Sequence, residues 1–427
     1  MQIEDVTKVK PIDAEFDQHE RDFGRYVWDV LDLSRDLQRV SRSEQWGGFW
    51  VLTGYQDVSD AAHSPETFSN RNGIGFPPAI NSEAMIPVSL DPPTNIPYRR
   101  ILAAPFAPGS VAAREQTIRD LVNYLIDQFI EDGVVDFYEQ LGTPLAAIVT
   151  LRMLGMDATE WARCSATSHA LWEHGWFANL PQAQQETLGP RLFDDYCWVF
   201  SAMSDRIAHV RENQQPGDSI IDHLVRGEID GEPIPHDDLT HIVHNVYEAG
   251  LDTTATAVAC MAVRLGQDEK LRATIASDPA TIPSFIEESL RIESPTTLLG
   301  RVAAKDRQLG EHLIREGDTV LLSFAAANRD PRVFTDPTNF KVDRKPNRHL
   351  AFGLGAHRCL GSHIARLELR IALEELFRRI PDFTVDPEAL VLSRDCGIVF
   401  GYIHVPGSFT PGHRENKVGP EVLTDPW

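Results

Sequence analysis

Hydrophobic and polar positions change their period several times along the chain, and each change marks an element. Gly48-Phe49-Trp50-Val51-Leu52-Thr53-Gly54 is a short apolar run between glycines, which predicts a strand. Helical spacing follows from Tyr55 to about His63. Between Asn70 and Pro93 no period survives, and glycines and prolines mix with scattered apolar residues. That predicts a long irregular loop, a feature uncommon unless it has a function. From Ala113 to about Leu265 the helical period dominates, with breaks expected near Pro181, Pro190 and Pro216. Leu298 to Ser323 reads as short strands, Thr319-Val320-Leu321-Leu322-Ser323 among them. Asn328 to Asn347 predicts coil, and helix returns after Cys359 until about Pro381. The polar stretch from Gly407 to Trp427 predicts a surface wrap. The expected fold is mainly α with a minor β region. One domain over residues 23–406 is flanked by an N-terminal tail, 1–22, and a C-terminal tail, 407–427.

Composition narrows the class. The chain has 427 residues, 42% of them hydrophobic and 24% charged, with a formal net charge of −23. Such acidity argues against nucleic acid and anionic membranes as partners. Five scattered cysteines (Cys164, Cys197, Cys260, Cys359, Cys396) with no CxxC pair indicate neither a disulfide framework nor a zinc site. The first residues are polar, and no apolar run is long enough to span a bilayer. A soluble, cytoplasmic protein is expected.

The chemistry concentrates at Phe352-Gly353-Leu354-Gly355-Ala356-His357-Arg358-Cys359-Leu360-Gly361. Gly353 and Gly355 permit a tight loop, and Gly361 lets a backbone approach something flat and bulky. Cys359 stands just before a helical stretch, where free N–H groups favour a thiolate. Alone, such a cysteine reads as a small buried hydrophobe. Inside the fixed pattern Phe-Gly-x-Gly-x-His-x-Cys-x-Gly it suits a soft metal, haem iron most of all.

Two other runs stand out. Ala249-Gly250-Leu251-Asp252-Thr253-Thr254 lies inside the apolar helical stretch Asp238 to Leu265. Its glycine can serve helix packing, and its hydroxyls can bond back to the preceding turn. Alternatively, Ala249 and Thr253 share one face and Gly250 leaves room for a planar cofactor or O₂. Glu288-Ser289-Leu290-Arg291 places an acid and a base at i, i+3, alone a surface ion pair worth roughly 0.2–0.5 kcal/mol. Residues 341 to 370 hold Lys341, Arg344, Lys345, Arg348, Arg358, Arg366 and Arg370 against Asp343 and Glu368, a basic patch in an acidic chain. Some of these charges are expected to pair internally.

The cysteine loop resembles the haem-ligand loop of the cytochrome P450 family, in particular its soluble bacterial monooxygenases. The other two runs resemble the family's oxygen-activation and Glu-x-x-Arg motifs, over roughly Gly48 to Pro406. The resemblance implies a single triangular haem domain and haem b ligated by Cys359. Asp252 and Thr253 would deliver the protons that cleave the O–O bond. Glu288 and Arg291 would anchor the proximal loop through a third residue, for which Arg344 is the candidate. Haem contacts would come from Asn95, Arg99, Ala249, Gly250, Arg301, Phe352, His357 and Gly361. Two positions depart from the family's common pattern. Asn95 stands where many relatives carry His, and Asn339 stands where an Arg is frequent.

By the same resemblance, substrate contacts fall on Ile74, Phe76, Ile86, Trp176, Phe177, Leu298, Val399 and Phe400, with Asn81, Glu83 and His174 as polar candidates. This mostly apolar set implies a compact hydrophobic substrate, terpenoid-like or aromatic. Electrons would come from NAD(P)H through a reductase and a ferredoxin, which would dock on the basic patch together with Arg100. A monomer is expected. A peroxide-using peroxygenase and a non-catalytic haem sensor or binding module are the alternatives. The Asp252-Thr253 pair argues against both, because neither needs protons delivered.

Overall fold

A computed structural model describes residues 9–20, 23–77, 85–172, 177–178, 180–213, 217–394 and 396–424. Trp176, Asn81, Glu83, His174 and Pro216 lie outside the described residues. Helices dominate, and the centre of the molecule is one of them, His236–Gln267. Most of its side chains are buried, so it runs through the core rather than over it. We call it the distal helix. It packs along Thr143–Leu154, whose side chains from Pro144 to Leu154 are all buried. Gly250 makes that close approach possible, because a Cβ there would collide with the Thr150 hydroxyl.

Two helices, Trp161–Trp172 and Gln182–Asn213, cover the distal helix from another side. The second corrects the expected break at Pro190, which lies inside a continuous helix. The residues around it, Gln182 to Pro190, are mostly exposed, so water can serve the carbonyl that proline leaves without a donor. Below the distal helix runs Ser362–Arg379, the proximal helix, which also joins the main core.

The largest sheet among the described residues has five strands in the order Val40–Ser43, Phe49–Leu52, Thr319–Ser323, Leu298–Ala303, Phe68–Ser69. Phe49–Leu52 pairs parallel with Thr319–Ser323, placing Val320 beside Trp50. Leu298–Ala303 runs antiparallel to Thr319–Ser323, with Arg301 opposite Val320. The expected strands at 49–52 and 319–323 and the helix at Tyr55–Ala62 are all present. The described parts of the 70–93 segment contain neither helix nor strand.

Several described elements escape the helical reading of residues 113–265, among them a short hairpin of Glu228–Ile229 and Glu232–Pro233. Val134–Asp136 is a strand, followed by a π-helical turn at Phe137–Gly142. The strand pairs with Pro406–Ser408, which also pairs with Thr384–Val385. The start of the polar C-terminal stretch is therefore the central strand of a small sheet, and Phe409 and Val422 are buried.

Candidate active site

The proximal loop is shaped by its glycines. Gly353 and Gly355 take φ of +65° and +63°, left-handed values that disfavour any other residue. A Cβ on Gly355 would also sit 2.6 Å from the Ala62 carbonyl oxygen. The loop closes when the Cys359 N–H donates to the Phe352 carbonyl at 2.8 Å. Gly361 caps the proximal helix, whose first residue is Ser362. The Phe352 ring is covered by the Arg366 guanidinium at 4.3 Å.

Cys359 is open on one side of this loop. In the protein alone, desolvation raises its thiol pKa, while the Gly361 N–H, Arg99 and Arg358 work in the opposite direction. A bound metal reverses that balance, because a coordinating thiol is deprotonated outright.

A second group of residues gathers beside the loop. Arg99 donates to the Arg358 carbonyl at 2.5 Å, which ties its helix to the cysteine loop. Arg301 is buried, and donates to the carbonyl of its neighbour Gly300 at 2.6 Å. His357 Nε2 lies 3.5 Å from Asp91 Oδ1, and neither ring nitrogen makes a hydrogen bond. Asn95 is 1% exposed, and both polar atoms of its amide lack a partner. Burial pushes Arg301 down to about 10 and Arg99 below its usual range. Burial and then Arg301 push His357 down to about 4. These are buried or half-buried donors and cations with the Asp91 carboxylate at their edge, and two further carboxylates would satisfy them.

Haem b, with its two propionates and its need for a thiolate, fits this arrangement. Cys359 would hold the iron, and Arg99, Arg301, His357 and Asn95 would hold the propionates. Haem bound there supplies the iron at which dioxygen is activated. Asp91 joins this cluster although sequence reasoning gave it no role. It accepts from the Ser69 hydroxyl and the Asn70 N–H and faces His357. Its place in the run Asp91 to Arg100 was the available signal.

On the distal helix, Ala249 is exposed and Thr253 half-buried within an otherwise buried stretch, so this face borders open space. The Thr253 hydroxyl donates to the Ala249 carbonyl at 2.9 Å. Asp252 is 3% exposed and accepts from the Ser168 hydroxyl at 3.3 Å. A Cβ on Gly250 would strike Thr150, which supports the helix-packing reading of this glycine. Against the protein's own atoms, a Cβ on Gly361 would make ordinary contact, 3.8 Å from Cys359 Sγ.

Glu288 and Arg291 are both fully buried, so their pairing is not a surface one. Arg291 forks onto Glu288 with two bonds of 2.8 Å and also donates to the Asn328 and Pro337 carbonyls. Arg344, Asn347 and the Lys341 N–H complete the shell of Glu288.

The candidate substrate residues are divided. Leu298 and Phe400 belong to a buried cluster with Phe49 and Val27, against which the partly buried Phe76 packs, its ring 5.0 Å from that of Phe49. Ile86 packs on the main core. The Ile74 carbonyl accepts from the Gly300 N–H at 2.6 Å, which fixes the 70–77 segment to the sheet beside Arg301. Val399 bridges Thr296, and Phe177 lies near Gly189. A wide groove of about 1930 Å³ lies elsewhere, lined by Trp28, Arg264, Glu293, Phe400 and Tyr402 among others, without any residue of the cysteine loop.

A thiolate-bearing loop beneath a long distal helix, with a cationic clamp at its edge, defines a haem-thiolate protein. The family model for cytochrome P450 matches residues 280–400, which include the Glu288-Arg291 pair and the cysteine loop. A steroid C26-monooxygenase of Mycolicibacterium smegmatis is 31% identical over 369 residues, 85% of this chain and 88% of that one. Cytochrome P450-terp of a Pseudomonas species is 29% identical over 404 residues, 90% of this chain and 94% of its own. A solved cytochrome P450 from Chondromyces apiculatus superposes with a TM-score of 0.80 at 26% identity, covering 93% of this chain and 99% of its own. The chain belongs to the cytochrome P450 family, and is a monooxygenase with haem b as cofactor. No helix among the described residues is long and apolar enough to cross a membrane.

Proposed function

We propose that this monooxygenase inserts one oxygen atom from O₂ into a compact hydrophobic substrate of terpenoid, steroid or aromatic type. The observation that carries this reading is the open face at Ala249 and Thr253, with Ile74 held by its carbonyl to the strand that carries Arg301. The relatives' names point the same way: one acts on a steroid, and a solved Bacillus megaterium cytochrome P450 is in complex with testosterone (TM-score 0.80, 25% identity, covering 92% of this chain).

Asp252 and Thr253 move protons toward the oxygen-binding side in this reading. Asp252 is anchored by Ser168, and the Thr253 hydroxyl can exchange its bond to Ala249 for one to a water or substrate oxygen. Electrons come from NAD(P)H through a reductase and a ferredoxin docked beside Cys359. Four of the seven basic residues there are paired internally: Lys341 with Asp336, Arg344 with Glu288, Arg366 with Glu287, and Arg370 with Glu115 and Glu374. The docking charge therefore rests on exposed Arg100, Lys345, Arg348 and Arg358. A shallow apolar pocket of about 270 Å³ lies nearby, lined by Pro108, Val111, Ile286, His363 and Leu367 among others.

Titrating the ferric enzyme with a panel of terpenes, steroids, aromatics and fatty acids tests the substrate class. Compact terpenes, steroids or aromatics should shift the Soret band at micromolar concentration. A response restricted to fatty acids would reject the reading.

A further inference from the structure

The distal helix carries a carboxyl group that its proton-delivery motif does not include. His244, Glu248 and Asp252 follow one another at i, i+4 and i+8, so they form a file on one face of the helix. Glu248 is 4% exposed and its Oε1 has no hydrogen-bond partner. The nearest cationic candidate is His244, whose Nε2 is 3.6 Å away, beyond hydrogen-bond reach. His244 itself is packed against Phe200, with ring centroids 4.4 Å apart, and burial pushes it down to about 3, so it is neutral.

Among the described residues, the helices that cover this file bring hydroxyls, a backbone carbonyl and aromatic rings to it. Trp161–Trp172 contributes the Cys164 carbonyl, which accepts from Tyr247, and Ser168, which donates to Asp252. On the same helix the Ser165 hydroxyl is buried without a partner. Gln182–Asn213 contributes Tyr196 and Phe200. Thr143–Leu154 contributes Thr150 beside Gly250. His241 and Tyr247 are the remaining titratable neighbours on the distal helix itself.

A buried carboxyl with no countercharge contributes nothing to the fold that an apolar side chain of its size would not contribute more cheaply. Its value is the proton. Burial, reinforced by the nearby Asp252 charge, holds Glu248 well above the usual carboxylate range. Burial, the unpartnered Oε1 and the nearby Asp252 all favour its protonated form, one helical turn from the residue that spends protons.

We propose that Glu248 is the proton store that recharges Asp252, with His244 at the more exposed end of the file. When Asp252 gives up its proton, the Glu248 O–H bond breaks and its proton passes to the Asp252 carboxylate through an intervening hydroxyl or water. Glu248 is then reprotonated from solvent past His244, whose side chain is 13% exposed. The step is a proton relay and consumes no oxidant or reductant beyond those of the monooxygenase reaction. It rests on the role assigned to Asp252.

The test uses haem-loaded protein and the variants Glu248→Gln, Glu248→Asp and Asp252→Asn. In infrared difference spectra, Glu248→Gln should remove a protonated-carboxyl C=O band present at pH 7. Because the parent holds its proton folded and loses it unfolded, the stability advantage of Glu248→Gln should grow as pH rises above about 4.5. Product formation should fall about tenfold in Glu248→Gln with an enlarged solvent isotope effect, and recover in part in Glu248→Asp. Absence of the carboxyl band from the parent, or an unchanged rate and isotope effect in Glu248→Gln, overturns the proposal. If Asp252→Asn slows turnover and Glu248→Gln does not, only the store is lost. If Asp252→Asn also changes nothing, the role of Asp252 falls with it.

Discussion

Arg344 reaches Glu288 across 56 residues of chain, with its Nε 2.9 and 3.0 Å from the two carboxylate oxygens. Through this bond the coil before the cysteine loop is tied to the helix Ile282–Glu293. Arg344 extends the tie with its remaining N–H groups, which donate to the Thr335, Asp336 and Asn339 carbonyls. One carboxylate thus holds two guanidinium groups, and those groups hold five carbonyls of the coil and its borders. The pairing is a scaffold for the loop that presents Cys359.

Glu288→Ala leaves Arg291 and Arg344 as buried charges without their carboxylate. Breaking such a pair costs about 3–5 kcal/mol. Denaturant unfolding should show a loss of that size, and the purified variant should carry less haem per chain. A loss within 1 kcal/mol, on the order expected of a surface pair, would show that the coil is held by other means.

Acid should loosen the proximal helix through the neighbouring carboxylate. Burial pushes Glu287 up, but hydrogen bonds from Arg366 and His349 outweigh it and hold it at about 2. The folded pKa is thus below the unfolded value near 4.5, so the contribution is complete above about 4.5 and disappears as pH falls toward about 2. It amounts to no more than about 3 kcal/mol, and less once solvent screening of a partly exposed group is counted. Glu287→Gln should flatten the stability-against-pH curve in that window. An unchanged curve would remove Glu287 from the acid response.

The parts of the fold that could be read from the sequence are those whose signal is local. Phe49–Leu52 and Thr319–Ser323 are bounded by glycines or turns, and Gly353 and Gly355 require φ values that only their residue type takes easily. The roles of Gly250, Phe76 and Phe400 could not be read this way, because each depends on a partner far along the chain: Thr150, Phe49 and Trp28. Pro190 misled for a related reason. Whether a proline ends a helix depends on who serves the freed carbonyl, and here the surface is open to water. Glu248 was invisible as a special residue, since one acid in a helical stretch reads as a solvated face until its burial is known.

Thr253→Ala should separate oxygen use from product. The fold should barely change, because loss of one hydrogen bond to Ala249, about 1 kcal/mol, is offset by the better helix propensity of alanine, about 0.5 kcal/mol. Cofactor oxidation should continue while product per NAD(P)H falls about tenfold and hydrogen peroxide accumulates. Unchanged coupling would remove the hydroxyl from proton delivery.

Reduction by a ferredoxin should depend on salt. With Arg100, Lys345, Arg348 and Arg358 steering an acidic partner, the second-order rate should fall about tenfold or more from about 0.01 M to about 0.5 M ionic strength. Charge-reversal of Arg358 and Arg100 should remove most of that dependence. A rate indifferent to salt would place the donor elsewhere.

The bond between Cys359 Sγ and iron is tested most directly by adding carbon monoxide to the reduced, purified protein. The Soret band should appear at the strongly red-shifted position that a thiolate ligand produces, and Cys359→His should move it to the position seen with a histidine ligand. A globin-like band in the unsubstituted protein, or a red-shifted band that survives Cys359→Ala, would contradict that ligation.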